Sequence, residues 1–298
     1  MTVRPYDHQA DYELVGDFLV DIHRPGRGLR TWLQPRWEYM HYHSLSDGLP
    51  FERFGVAERD GLMVGLVHFE HNPAFNYLQV RPGCEGVIED LLDWAEAHLG
   101  GRSITFGHPV IGLFVDDTDR ALEEAMNQRG FELHAEHSEE HARYVVDGPI
   151  DSAPLPEGFR LLSLDEDNDF EKINRVLWRG FNHEGSPPEE EIPARKRAQM
   201  APNFRKDLTV IAVAPNGDYA SFAGMWQVAD RPEAYVEPVA TDPTYRRMGL
   251  GRAAVLESIR RVAAAGARDV WVGSNQEFYL AMGFEIETRT RLWVKALD

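Results

Sequence analysis

The stretch Glu237–Arg261, EPVATDPTYRRMGLGRAAVLESIRR, groups residues whose types and order suit the binding of an anion. A β-prone run ends at Asp242-Pro243. Arg246, Arg247, Gly249 and Gly251 follow, and then a segment with helical spacing. A helix N-terminus exposes up to four unsatisfied backbone N–H groups and carries roughly half a positive charge. Glycines let an anion approach the backbone with no Cβ in the way, and arginines add cationic donors at the same point. Strand, tight turn, arginines, glycines and helix together make a candidate diphosphate cradle. A solvated surface turn with ordinary arginines is the competing reading. The spacing is not the G-x-G-x-x-G of a dinucleotide-binding turn, and no Gly-Lys-Ser/Thr follows to make a nucleotide-binding P-loop.

A cradle needs a scaffold, and the flanking sequence supplies an alternation of strand and helix signals. Leu14, Val15, Phe18, Leu19 and Ile22 are spaced as one helical face, and a second helical stretch over 30–43 is interrupted by Pro35. Arg59-Asp60-Gly61 reads as a hairpin turn between two β-rich runs. NYLQV (76–80) and SITF (103–106) read as strands. The segment 86–101 reads as an amphipathic helix closed by Gly100-Gly101. A helix over the 120s turns at Gly130 into a further strand. Asp147–Gly158, with three prolines and two glycines, has the composition of a linker. The same order then recurs, with a hairpin at Asn216-Gly217-Asp218. The fold class expected is α/β: two tandem domains, 1–150 and 155–298, each a central mixed β-sheet flanked by helices. MNQRGFEL, ending at Leu133, and YLAMGFEI, ending at Ile286, occupy matching slots of the two halves.

Bulk properties narrow the function. The 298 residues carry a formal net charge of −18, which disfavours nucleic acid as a general partner. With Cys84 as the single cysteine, no intrachain disulfide and no CxxC metal pattern is possible. Neither a basic-then-apolar leader nor a membrane-length apolar run is present, so a cytoplasmic protein with no membrane partner is expected. No histidine–carboxylate spacing points to a metal. The stretch His134–Arg143, HAEHSEEHAR, reads as solvated polar surface.

The segment VATDPTYRRMGLGRAAVLESI resembles motif A of the GCN5-related N-acetyltransferases, the GNAT superfamily, whose core is Arg/Gln-x-x-Gly-x-Gly/Ala. Arg246, Gly249 and Gly251 meet it. Downstream, NQEFYLAMGFE resembles the end of motif B, with Tyr279 ahead of Gly283-Phe284. The resemblance implies that Val239, Ala240 and Thr241 pair with the pantetheine arm of acetyl-CoA. It implies that the loop Arg246, Arg247, Met248, Gly249, Leu250, Gly251 and Arg252 takes the pyrophosphate. Tyr279 would protonate the leaving thiolate, and a backbone N–H near Val239 would meet the oxyanion. Asn275 stands four residues before Tyr279, where the family usually has an Asn seven before, which leaves its part in cofactor binding open.

By strand periodicity Glu237 shares a face with Val239 and Thr241, which makes it the candidate base. The resemblance implies that the loop bearing His183 and Glu184 walls the acceptor pocket. Trp226 either lines that pocket or fills core. In the first half, Arg81-Pro82-Gly83 stands in the motif A slot among the acids Glu85, Glu89 and Asp90, and Met126 or Asn127 stands in the slot of Tyr279. That half is expected to be a degenerate GNAT-like domain without cofactor. The function implied is acetyl transfer from acetyl-CoA to a small-molecule primary amine, by a monomer or homodimer. The alternatives are another acyl donor, a protein lysine acceptor, or a CoA-binding sensor without turnover.

Overall fold

The computed structural model describes residues 2–23 and 32–297. The chain forms two compact units, one of Met1–Met40, Leu45–His141 and Glu287–Asp298, the other of His41–Ser44 and Ala142–Ile286.

In the first unit the order is β1 (Thr2–Pro5), α1 (His8–Ile22), α2 (Gln34–Tyr42), β2 (Gly55–Arg59), β3 (Leu62–Phe69), β4 (Phe75–Val80), α3 (Ile88–His98), β5 (Gly101–Arg102), β6 (Pro109–Asp116), α4 (Arg120–Gln128) and β7 (Glu132–Val145). The order continues with β8 (Arg160–Ser163), α5 (Phe170–Gly180), α6 (Ile192–Ala198), β9 (Val210–Val213), β10 (Tyr219–Gln227), β11 (Glu233–Thr241), α7 (Leu250–Ala264), β12 (Asp269–Val272), α8 (Glu277–Leu280) and β13 (Glu285–Ala296). Asp7, Asp119 and Asp169 start α1, α4 and α5 by accepting first-turn N–H groups on their side chains.

The sheet of the first unit runs β1-β2-β3-β4-β6-β13. Its core joins Phe18, Leu19, Trp37, Phe54, Leu91 and Ile111. The sheet of the second unit runs β12-β11-β10-β9-β8. Ala142–Val145, the end of β7, pair antiparallel with β12. One face of this sheet packs α7 through Ala254, Val255 and Ile259, and another cluster joins Ile173, Val176 and Leu177 of α5 to Phe222 and Ala240.

Several sequence expectations need correction. SITF is not a strand: Ile104 is fully exposed and Gly107 turns the chain at φ 76. The strand there is β6, which begins at a proline, a position where the missing N–H is tolerated. Pro35 does not interrupt a helix but stands in the first turn of α2, where its fixed φ is favourable; residues 30 and 31 of that expectation lie outside the described residues. HAEHSEEHAR lies within the single 14-residue strand β7. Residues 287–297 pack with the first unit, because β13 pairs with β6 from Thr290 to Ala296. The proline-rich 147–158 stretch is not a detached linker; Ile150 and Ala153 pack on the core of the second unit.

Candidate active site

The site is built where β11 leaves its parallel neighbour. Glu233, Ala234 and Tyr235 pair with Asp269, Val270 and Trp271 of β12, and the pairing stops there. On its other side β11 stays paired with β10 as far as Thr241 opposite Ser221. Among the described residues Val239, Ala240 and Thr241 therefore have no strand partner on that edge, the condition for adding an extended segment to a sheet edge.

A bulge sits at the start of this open segment. Ala223 pairs with Val239 but Met225 with Val236, so β11 has one residue more than β10 there. Gly224 makes the bulge possible, since a Cβ there would lie 2.2 Å from the Glu237 carbonyl oxygen. The indole N–H of Trp226 donates to that same oxygen at 2.7 Å. The extra residue breaks the two-residue alternation on which the expected shared face of Glu237, Val239 and Thr241 rested. Val236 and Val239 instead contribute to the same core. Glu237 nevertheless remains partly exposed. Trp226 is fully buried, so its structural role is core filling and holding this carbonyl.

Past Thr241 the chain turns through Pro243–Tyr245 into the loop. Asp242 is buried, and its carboxylate accepts from the Thr244 N–H at 2.9 Å and from Arg179 Nε at 2.6 Å. Burial alone would push this carboxyl up, but the Arg179 and Thr244 hydrogen bonds outweigh it and hold it below the usual carboxylate range. Arg247 and Gly249 both adopt left-handed backbone, at φ 64 and φ 79. Gly249 is the N-cap of α7 and, unlike Asp7, Asp119 and Asp169, offers no side chain to the first-turn N–H groups. Among the described residues nothing beyond its chain neighbours would lie within 4 Å of a Cβ on Gly249. A Cβ on Gly251 would lie 2.9 Å from Thr241 Oγ1 and 3.4 Å from the Phe278 ring, so this glycine lets α7 start close against β11 and α8.

The three loop arginines divide. Arg246 donates to the carbonyl oxygens of Thr241 at 3.2 Å and Gly180 at 2.8 Å. Arg252 donates to Ala281 O at 2.8 Å, tying α7 to the end of α8. Arg247 is exposed and has no hydrogen-bond or ion-pair partner among the described residues. Met248 is exposed beside it, and Leu250 turns into the core.

Tyr279 stands on α8, 7% exposed, with its ring edge-on to Phe278 and Phe284. Burial raises the phenol far above its ordinary pKa, and the negative charge of Glu237 raises it further. The structure thus brings Tyr279 and Glu237 within electrostatic reach of each other. Asn275 is exposed in the turn before α8. His183 and Glu184 are exposed on the loop after α5; Trp178 stacks on His183 at 4.4 Å and donates Nε1–H to Glu184 O at 3.2 Å. Arg179, Gly180, Gly224 and Trp178 carry no local motif that marks them in the sequence; the partners of the first three lie on other elements, and those of Trp178 on the loop that follows it. Among the described residues no group of three or more His, Cys, Asp or Glu could hold a metal ion, and no helix is long and apolar enough to cross a membrane.

A strand that splays from its parallel neighbour and runs into a glycine loop and helix N-terminus defines a GNAT-type domain. Residues 170–284 match the acetyltransferase (GNAT) family. Its fold is similar along 99% of its length to a tandem GNAT protein from the clavulanic acid biosynthesis pathway, at 15% identity, 98% coverage of that chain and a TM-score of 0.67. It is similar in the same way to a GCN5-related N-acetyltransferase from Sphaerobacter thermophilus, at 15% identity, 99% and 95% coverage and a TM-score of 0.59. No curated protein matches the chain by sequence.

Proposed function

We propose that the second unit transfers an acetyl group from acetyl-CoA to a primary amine of a small molecule by direct attack. The observation that carries this reading is the open edge of β11 running into the uncapped N-terminus of α7, with Tyr279 and Glu237 beside it. Val239, Ala240 and Thr241 pair with the pantetheine arm. The N–H groups from Arg247 to Arg252, with the Arg247 guanidinium, take the diphosphate.

The amine gives up a proton to Glu237, directly or through water, and its nitrogen attacks the thioester carbonyl carbon. A backbone N–H near Val239 meets the developing oxyanion. The carbon–sulfur bond breaks, and the thiolate takes the proton of Tyr279. A phenol whose pKa is raised by burial and by Glu237 keeps that proton through neutral pH, as a general acid must. His183 and Glu184, on the loop after α5, face the acceptor. The first unit holds no coenzyme in this reading, since its corresponding loop N–H is already bonded to a carboxylate: Gly83 N donates to Glu85 Oε1 at 2.9 Å.

Turnover of acetyl-CoA against a panel of small amines tests the reading. Wild type is expected to acetylate at least one amine and Tyr279→Phe to lose most of that rate while still binding CoA. CoA binding with no turnover on any amine would favour a sensor.

A further inference from the structure

The end of α5 and the end of β11 are laced together at three points. Gly180, the last residue of α5, lies so close to β11 that a Cβ on it would stand 2.6 Å from the Ala240 Cβ and 3.1 Å from the Thr241 N. Arg179 forks onto the buried Asp242 carboxylate, through Nε at 2.6 Å and a terminal nitrogen at 3.1 Å, and reaches Thr244 Oγ1 at 3.1 Å. From the loop side, Arg246 reaches back 66 residues to the Gly180 carbonyl while its Nε holds the Thr241 carbonyl.

The Gly180 carbonyl belongs to the last turn of a helix, where no backbone N–H of the helix reaches it. A cation there also meets the negative end of the helix dipole. A planar guanidinium serves two carbonyls in fixed directions, whereas an ammonium on a flexible stem does not. Just beyond Gly180 come the half-exposed Phe181 and the loop of His183 and Glu184, tied to α5 by Trp178.

Resting on the acetyltransferase reading above, we propose that Arg246 is a positioning residue. It caps α5 from the coenzyme loop and thereby fixes the acceptor-side loop 181–184 to the donor-binding strand. The diphosphate is left to Arg247 and the loop N–H groups. Arg246 then couples the donor and acceptor halves of the site, beside the Gly180 and Arg179 contacts, through protein carbonyls rather than through a contact with the coenzyme.

Two measurements test this on the full chain. The first needs no ligand: hydrogen exchange of the Phe181, Asn182 and His183 amides, which are bonded to Leu177, Arg179 and Trp178 carbonyls. In Arg246→Ala and in the charge-keeping Arg246→Lys, these amides are expected to exchange about five- to tenfold faster, with the interior of α7 unchanged. Unchanged exchange at all three overturns the proposal. The second compares kcat/KM with acetyl-CoA and with acetyl-pantetheine, which lacks the diphosphate. A positioning residue predicts that Arg246→Lys loses the same factor, about tenfold, with both donors, and that the KM for the amine rises. A loss confined to acetyl-CoA overturns the proposal and makes Arg246 a phosphate ligand. If the wild type transfers from neither donor, the acetyltransferase reading fails, while the exchange result still decides the role of Arg246.

Discussion

The chain contains the same local architecture twice, with opposite chemistry in its loop. In the first unit β4 pairs in parallel with β6 for three residues, Phe75 to Tyr77, and then parts from it. In the second unit β11 pairs with β12 for three residues, Glu233 to Tyr235, and then parts. A helix follows each strand. After β11 the helix N-terminus is bare and Arg247 stands in the open. After β4 the loop has closed on itself. Arg81 donates to the Met63 carbonyl and pairs with Asp21, and Glu85 accepts from Gly83 N. Glu89 and Asp90 fill the first turn of α3. On the reading proposed above, a splayed strand is not a coenzyme site by itself. The charge placed at the helix start decides whether an anion is attracted or an internal carboxylate has taken its place.

The largest effect is expected at Tyr279. Its counterpart in the first unit is Met126, fully buried in the core, or its exposed neighbour Asn127. Tyr279→Phe keeps the ring packing and removes the proposed acid. We expect kcat to fall by about 10²- to 10⁴-fold, with CoA affinity nearly unchanged, by steady-state kinetics and calorimetry. The pH profile sharpens the assignment. Because the phenol is held above its ordinary value, no alkaline loss of kcat from Tyr279 is expected below about pH 10.

The next largest effect is expected at the loop. Arg247→Glu should weaken CoA binding roughly 100-fold, whereas Glu85→Gln in the first unit should leave it unchanged. Equal sensitivity of the two would mean that both loops bind.

At the bulge, Gly224→Ala should destabilise the protein by about 1–3 kcal/mol, because the new methyl meets backbone that must move. Denaturant unfolding reads this. The matching strand of the first unit, β3, also carries a glycine, Gly65, but a Cβ there would meet the flexible Leu91 side chain at 2.7 Å, so Gly65→Ala should be milder.

The smallest effect concerns Asp242. Its folded pKa is depressed, so the stability it contributes is present above the unfolded value of 3.8 and is lost as pH falls through the folded one. Asp242→Asn should cost about 1–2 kcal/mol at neutral pH, since Arg179 is a third exposed. The gap between variant and wild type should narrow below about pH 4.

Much of this was legible in the chain, for physical reasons that differ by residue. Arg247, Gly249 and Gly251 are read locally, because a glycine in left-handed backbone and a bare helix start are short-range features. Tyr279 came from its place ahead of Gly283-Phe284. The bulge was not legible, since Gly224 is needed only because the Glu237 carbonyl approaches from another strand. The bond of Arg246 to the Gly180 carbonyl and the ion pair of Arg179 with Asp242 span more than 60 residues and leave no spacing to detect. Strand β6 was hidden by its opening Pro109 and by Gly112, which reads as a breaker. That glycine is required because a Cβ there would lie 2.9 Å from Leu292 and 3.1 Å from Phe75.

A calorimetric titration of the full chain with acetyl-CoA tests the central claim most directly. One site per chain is expected, weakened roughly 100-fold by Arg247→Glu and untouched by Glu85→Gln. Two sites per chain, or a single site that survives Arg247→Glu, would contradict it.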